Sequence, residues 1–305
     1  MIGAIDIGGT KIAVGVVNEG GKLVHRSETP TEPKRGFEDA MGRVRGMLRE
    51  AVGACGPLAG IGVACPGPLN PHTGVIGEVG TLPGWEGGNL VDALASEFKV
   101  TVAVENDADA AALAEYAWGT GRFGGHDPES FLYLTISTGI GGGLVLGGRL
   151  YRGVAGSHPE YGHQVIDCSG PLCYCNAHGC WESLASGTAL SAWMHEQAPN
   201  SGLLDAAAIC KLAAQGDELA LKAIRRHGYY LGLGLANMVT LFTPEVIALG
   251  GGVMKSSALF LDDALNVVRE ICTQVPVDAV RIELSTLGSE AGLLGAAQAW
   301  RLHYN

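Results

Sequence analysis

Between Glu160 and Ser186 the chain reads EYGHQVIDCSGPLCYCNAHGCWESLAS, and His163, Cys173, Cys175 and Cys180 form an H-x9-C-x-C-x4-C array. One imidazole and three thiols match the ligand number and softness of a closed tetrahedral Zn2+ site. Chance rarely puts three Cys within eight positions of a chain that holds only eight among 305 residues. The competing reading is an irregular turn whose four residues never meet. Four protein ligands leave no open position for water, so the expected metal is structural. Glu160 and Glu182 bracket the array, and a metal clamp would hold these acids on opposite sides of one loop.

Three glycine clusters offer phosphate chemistry. Asp6-Ile7-Gly8-Gly9-Thr10-Lys11 is a tight hairpin at a strand end. Gly8 and Gly9 let backbone amides approach a phosphate, Thr10 adds a hydroxyl, and Asp6 could hold a hydrated Mg2+. The pattern G-x-x-x-x-G-K-[ST] is absent, so this is no P-loop, and an ordinary hairpin is the alternative. Thr135–Gly143 (TISTGIGGG, with Thr138, Gly139 and Gly141) supplies a second small-residue loop. Two such loops facing each other would grip opposite sides of a polyphosphate. Leu249–Ser256 (LGGGVMKS, with Gly251 and Gly252) suits a surface under a flat adenine and ribose. Each cluster alone is weak evidence; their order along the chain gives the set its specificity.

Glu105-Asn106-Asp107 stands at a strand end with a helix following. Asp107 is the candidate general base for an attacking hydroxyl, and the alternative is that it only caps the helix. A loose phosphoryl-transfer transition state needs little basicity, so positioning would be its larger role. His158 and His178 flank the array and are expected outside the ligand set; the remaining His read as structural.

The elements that must position these groups follow from periodicity. Strands are expected at Ile2–Ile7, Ile12–Val17, Lys22–Glu28, Ala59–Ala64 and Val100–Val104, with helices at Phe37–Gly53, Leu90–Phe98 and Asp107–Trp118. The pattern then begins again: Phe131–Ser137, a glycine turn, Leu144–Leu146, a second turn and Leu150-Tyr151. One strand-and-turn architecture is therefore used twice. Helices at Ala206–Gln215, Leu219–Leu241, Ser257–Val268 and Ser289–Trp300 and strands at Val246–Leu249 and Arg281–Leu284 complete the reading. Strands alternating with helices make an α/β protein of two lobes facing a cleft. The expected division is 1–118, completed by a closing helix at 289–305, and 119–288 with the metal loop.

Composition narrows the function classes. A net charge of −11 argues against nucleic acid and anionic membrane as partners. Phe131–Gly148 and Gly228–Pro244 are the longest uncharged stretches, and Gly, Ser, Thr, Asn or Pro breaks both, so no membrane span is expected. Cys55, Cys65, Cys168, Cys210 and Cys272 show no pairing rhythm, which points to a reducing cytoplasm. Asp6 and Lys11 interrupt the opening apolar run, so no secretory leader is expected.

In this order the motifs resemble the ROK family of sugar kinases and repressors, within the actin-like, hexokinase and heat-shock-protein ATPase superfamily. They are D-x-G-G-T-K (Asp6–Lys11), P-G-P (Pro66–Pro68), L-P-G-W (Leu82–Trp85), E-N-D (Glu105–Asp107) and T-G-I-G-G-G (Thr138–Gly143). E-x-G-H (Glu160–His163), the Cys array, E-S-x-A-S (Glu182–Ser186) and L-G-G-G (Leu249–Gly252) complete the set. The resemblance implies two actin-like (ribonuclease H-like) lobes and transfer of phosphate from Mg2+-bound ATP to a sugar hydroxyl. Asp107 then matches the catalytic base. Asn106, Glu160, His163 and Glu182 match groups that hydrogen-bond the sugar, and Gly67 lies where the sugar passes the P-G-P turn. His163 would bind zinc through one nitrogen and offer the other to the sugar, ligation fixing its tautomer.

The resemblance makes a cytoplasmic ATP:glucose 6-kinase the leading expectation, as a homodimer or dimer of dimers. Thr81 stands where many members have Asn, and Asn176 where they have Gly. Ser157-His158-Pro159 before Glu160 looks like the fructokinase branch, whereas the C-x-C spacing looks like the glucokinase and N-acylhexosamine kinase branches. Fructose, N-acetylmannosamine or N-acetylglucosamine as the acceptor, and polyphosphate as the donor, remain alternatives. The rival of another class is a sugar-sensing regulator without catalysis. The family's repressors carry a helix-turn-helix ahead of the first strand; this chain opens on that strand, which disfavours repression.

Overall fold

Alternating large and small residues decide which face each central strand turns to which helix. β1 (Ile2–Ile7), β2 (Lys11–Val17), β3 (Leu23–Pro30), β4 (Gly60–Cys65) and β5 (Thr101–Asn106) form one sheet in the order β3-β2-β1-β4-β5. The β1–β2 and β2–β3 pairs are antiparallel; β1–β4 and β4–β5 are parallel. Ile5, Ile7, Ile61 and Val63 join a core with Met41, Val44 and Leu48 of helix α1 (Phe37–Cys55). Each such fully buried aliphatic side chain contributes about 1.5–3 kcal/mol. Gly60 and Gly62 alternate with them and face α9 (Ala291–Tyr304). A Cβ on Gly62 would lie 1.8 Å from the Ala296 carbonyl oxygen, and one on Gly60 2.0 Å from the Trp300 ring. Small residues thus let this helix lie close on the sheet.

The computed structural model describes residues 1–122 and 125–304; Phe123, Gly124 and Asn305 lie outside the described residues. The second sheet holds β6 (Ser130–Ile136), β7 (Ile140–Leu146), β8 (Arg149–Leu150), β9 (Val246–Gly250) and β10 (Arg281–Leu284). Its order is β8-β7-β6-β9-β10, with β6–β9 and β9–β10 parallel. Both sheets thus repeat one strand order, as the twice-used strand-and-turn pattern leads one to expect. The chain divides into two compact units, Met1–Asp127 with Gly143–Pro159 and Thr286–Asn305, and Pro128–Gly142 with Glu160–Ser285.

Around the sheets lie α2 (Leu90–Phe98), α3 (Asp107–Trp118), α4 (Trp181–Ala185), α5 (Gly187–Gln197), α6 (Ala206–Ala214), α7 (Glu218–Phe242) and α8 (Leu261–Ile271). One expected helix needs correction. Ser257–Val268 is not continuous: a 3-10 segment, Val253–Leu259, is followed by Phe260 at φ −148°, and α8 begins after it. Phe260, its backbone outside the helical region, is buried edge-on against His227 of α7. The sequence shows neither α4, whose five residues are too few for a helical period, nor α5, which opens on glycine and carries no clear apolar stripe. Among the described residues no helix is long and apolar enough to cross a membrane.

Candidate active site

In the first unit, parallel strands β1, β4 and β5 bring Asp6, the Pro66–Pro68 turn and Glu105–Asp107 to one C-terminal edge, where open α/β sheets bind ligands. The side-chain oxygen of Asn106 accepts from the Ala108 and Asp109 amides at 2.9 and 3.3 Å. Asn106 is therefore the cap of α3, and Asp107 is its first helical residue, half-buried. The capping alternative for Asp107 gives way to its neighbour. Burial, and next the charge of Asp107, push the Asp6 carboxyl up to about 6, while Lys11 and Arg26 pull it down. Two neighbouring acids, one of which raises the other, suit a cation between them and a phosphate, so the site fits the expected Mg2+. Asp6 also lies against Gly292 of α9, where a Cβ would come within 2.3 Å of its carboxylate oxygen.

The hairpin after β1 closes with the Gly8 amide donating to the Lys11 carbonyl at 2.9 Å. Lys11 Nζ donates to Glu28 at 2.9 Å, and Arg26 shares the same carboxylate, so both cations are tethered to β3. The Gly67–Pro68 peptide is cis. A methyl group on Gly67 would lie 3.4 Å from Asn106 Nδ2 and 3.7 Å from His158 Nε2. His158 therefore stands at the P-G-P turn and, as expected, outside the His/Cys cluster. Beneath the corner Arg152 bridges Glu105 and buried Asp109, and Glu105 accepts from the Asn106 amide at 2.8 Å. Burial pushes the Glu105 carboxyl up and Arg152 draws it back. Sequence reasoning missed this bracing, since Arg152 is 47 positions from Glu105 and carries no local signal.

In the second unit one ligand atom each of His163, Cys173, Cys175 and Cys180 lies within 4.8 Å of the others. The four residues meet, and this donor set fits the expected zinc. His163 Nδ1 faces Cys173 Sγ at 3.6 Å, and Cys175 Sγ lies 3.5 Å from Cys180 Sγ. The Ala177 amide and then the Cys180 thiol draw Cys175 down to about 7, while burial pushes Cys180 up to about 12. His178 is turned away, its Nδ1 at 3.2 Å from the Gly170 carbonyl. Asn176 adopts φ 69°, a left-handed conformation that Asn tolerates and Gly prefers.

Helix α7 holds this loop. Trp181, fully buried beside Cys180, donates from Nε1 to the Tyr230 carbonyl at 3.0 Å, and its ring fills the space over Gly234. Tyr230 donates its hydroxyl to Asp167 at 3.0 Å, and Asn237 donates to Gln164 at 2.8 Å. Glu182 accepts from the Ile140 amide at 2.7 Å, and Gly139 leaves room for its carboxylate. Glu160 is exposed at the loop's start. Partial desolvation of its hydroxyl chiefly pushes the Tyr174 phenol up to about 12, and the carboxylates of Glu182 and Glu160 add to the rise. Glu160, His163 and Glu182 thus share one neighbourhood, and Tyr174, unnoticed in the sequence, stands within it.

The remaining loops also meet in this unit. The Gly187 amide donates to the Ser137 carbonyl at 2.7 Å, and Ser186 caps α5 through the Ala189 amide at 3.1 Å. Gly251 has φ 96°, and a Cβ there would strike the Ile136 carbonyl at 2.3 Å. Ile136 and Ser137, just ahead of Thr138, therefore sit beside Gly251 and Gly252, with the start of α5 against Ser137.

Comparison with known proteins gives concordant matches. The family model of the ROK family matches residues 2–302. A glucokinase of Thermotoga maritima is 33% identical over 96% of this chain and 95% of its own length. The ROK hexokinase structure of Thermus thermophilus superposes with a TM-score of 0.89 at 37% identity, covering 99% of this chain and 98% of that one. A ROK family glucokinase from Streptomyces griseus, solved with glucose and AMPPNP, has a TM-score of 0.78 at 30% identity, with 97% of both chains covered. The α/β architecture expected from the sequence is the actin-like ATPase fold of these neighbours.

Proposed function

The chain belongs to the ROK family, and from that premise we propose that it is an ATP-dependent hexokinase that phosphorylates glucose at its 6-hydroxyl. The observation that carries the reading is the corner at β5: Asn106 takes over the helix cap, and Asp107 stands at the strand edge beside Asp6. Glucose and ATP are favoured by the ligands of the Streptomyces griseus enzyme and by the activity named for the Thermotoga maritima relative.

In this reading Asp107 orients the attacking hydroxyl and takes its proton as the new oxygen–phosphorus bond forms and the bond to the ADP oxygen breaks. Asn106, Glu160, His163, Glu182 and the open surface at Gly67 hold the sugar ring. Hydrogen-bonding groups of this kind reject analogues strongly, because an unmatched buried polar group is costly. Gly8, Gly9, Thr10, Lys11, Thr138, Gly139 and Gly141 approach the phosphates, with Gly251 and Gly252 under the nucleoside. Mg2+, held by Asp6 through water, would neutralise phosphate charge. Zinc on His163, Cys173, Cys175 and Cys180 would supply rigidity. Thiolate ligands need reduced cysteines, so the cytoplasm belongs to this reading, as does the homodimer that the family resemblance implies.

A second acceptor has one observation in its favour. Ser157-His158-Pro159, the stretch that resembles the fructokinase branch, brings the His158 ring to Gly67 and Asn106. A coupled assay of ADP release across glucose, fructose, mannose and the N-acetylhexosamines, with ATP or polyphosphate as donor, separates the readings. Turnover is expected to be highest with glucose and ATP. Hexose binding without turnover would leave a sensing regulator in place of the kinase.

A further inference from the structure

Tyr174 has no part in the mechanism above, yet its hydroxyl lies 2.8 Å from Nε2 of His163. The two rings meet edge-on, with centroids 4.9 Å apart and an interplanar angle of 85°. Nδ1 of the same imidazole faces the Cys173 thiol, so a metal in the cluster would take Nδ1 and leave the proton on Nε2. That N–H would be the directed donor for the sugar, and with the metal bound it would donate to the phenol oxygen. A phenol oxygen and a sugar hydroxyl accept such a bond in the same way. Tyr174 stands between two cluster cysteines, which fix its backbone, while the residue as a whole is 78% exposed. Its ring can therefore swing into water by a χ1 rotation without disturbing the cluster.

We propose that Tyr174 is a specificity-determining residue of the sugar site: its hydroxyl occupies His163 Nε2, and a sugar gains that nitrogen only by presenting a hydroxyl that displaces it. The proposal rests on the hexose-binding reading of His163. It has a selective consequence. A sugar with the displacing hydroxyl must break the Tyr174 bond, whereas an analogue lacking that hydroxyl leaves the bond in place. Tyr174 thereby weakens binding of the proper substrate and softens rejection of the deoxy analogue. Removing the phenol oxygen sharpens the discrimination.

The test is calorimetric titration of zinc-loaded wild type and Tyr174→Phe with glucose and with each monodeoxyglucose. Phe keeps the edge-on ring, and zinc content measured on both proteins checks the cluster. The variant is expected to bind glucose roughly two- to tenfold tighter, the size of one net hydrogen bond. The gain should extend to every deoxy analogue except the one lacking the displacing hydroxyl. Unchanged or weaker glucose binding by the variant would overturn the proposal, and so would an equal gain across all analogues. Wild-type protein that binds none of these sugars would overturn the hexose reading and this proposal with it.

Discussion

At the scale of single residues, the corner Asn106–Asp107 shows how neighbours divide labour. Asn and Asp cap helices about equally well, so the sequence left both roles open for Asp107. The backbone decided it, because the extended conformation of Asn106 aims its own oxygen at the Ala108 and Asp109 amides. Asp107→Ala is expected to lower kcat by ~10²-fold, as loss of a general base does, with hexose affinity less affected. A near-normal kcat would remove Asp107 from the chemistry. His163 teaches the same lesson: spacing named it as a ligand, but only side-chain geometry separated a thiol-facing Nδ1 from an Nε2 already paired with Tyr174.

Elements set the shape of the metal loop. The loop has little regular structure of its own, and α7 supplies the frame through Tyr230, Asn237 and Gly234. At Gly234 a Cβ would fall 2.0 Å from the Trp181 ring, and Trp181 follows Cys180 of the His/Cys cluster directly. Overpacking a filled site costs about 1–3 kcal/mol, and here the ring is displaced at the loop's anchor. Gly234→Ala should therefore lower zinc content and weaken hexose binding, with ATP affinity less affected. Full zinc occupancy in that variant, measured by elemental analysis, would show that Trp181 does not anchor the cluster. The helical period of α7 was readable from the chain, but no periodicity says which of its glycines receives a tryptophan from 53 positions away.

For the whole molecule, stability against acid should carry the mark of His227. This side chain is 1% exposed on α7, and among the described residues neither ring nitrogen has a hydrogen-bond partner. Burial first, and the Arg226 charge second, push it down to about 4. The unfolded chain binds this proton near pH 6.5 and the folded one only near 4, so the stability is present above about 6.5 and is lost as pH falls towards 4. The full loss is about 3 kcal/mol. Denaturant titrations of wild type and His227→Leu at pH 7 and pH 4.5 isolate it, because other groups, Asp6 among them, cancel in the difference. The wild type is expected to lose roughly 2–3 kcal/mol more than the variant over this interval. Equal losses would mean that His227 takes up its proton as readily in the folded protein as in the unfolded chain.

Local order along the chain was enough to establish the family, the α/β alternation, the doubled strand pattern and the identity of the four clustered His and Cys residues. These follow from hydrophobic period, glycine turns and ligand spacing, all properties of near neighbours in sequence. Only the tertiary structure decided that Arg152 braces Glu105, that Trp181 rests on Gly234, that His158 stands at Gly67 and that Tyr174 holds His163. Those pairings depend on which surfaces folding brings within a few ångströms. A linear pattern carries no such distance, because complementary shape and burial are fixed only when the whole core is packed.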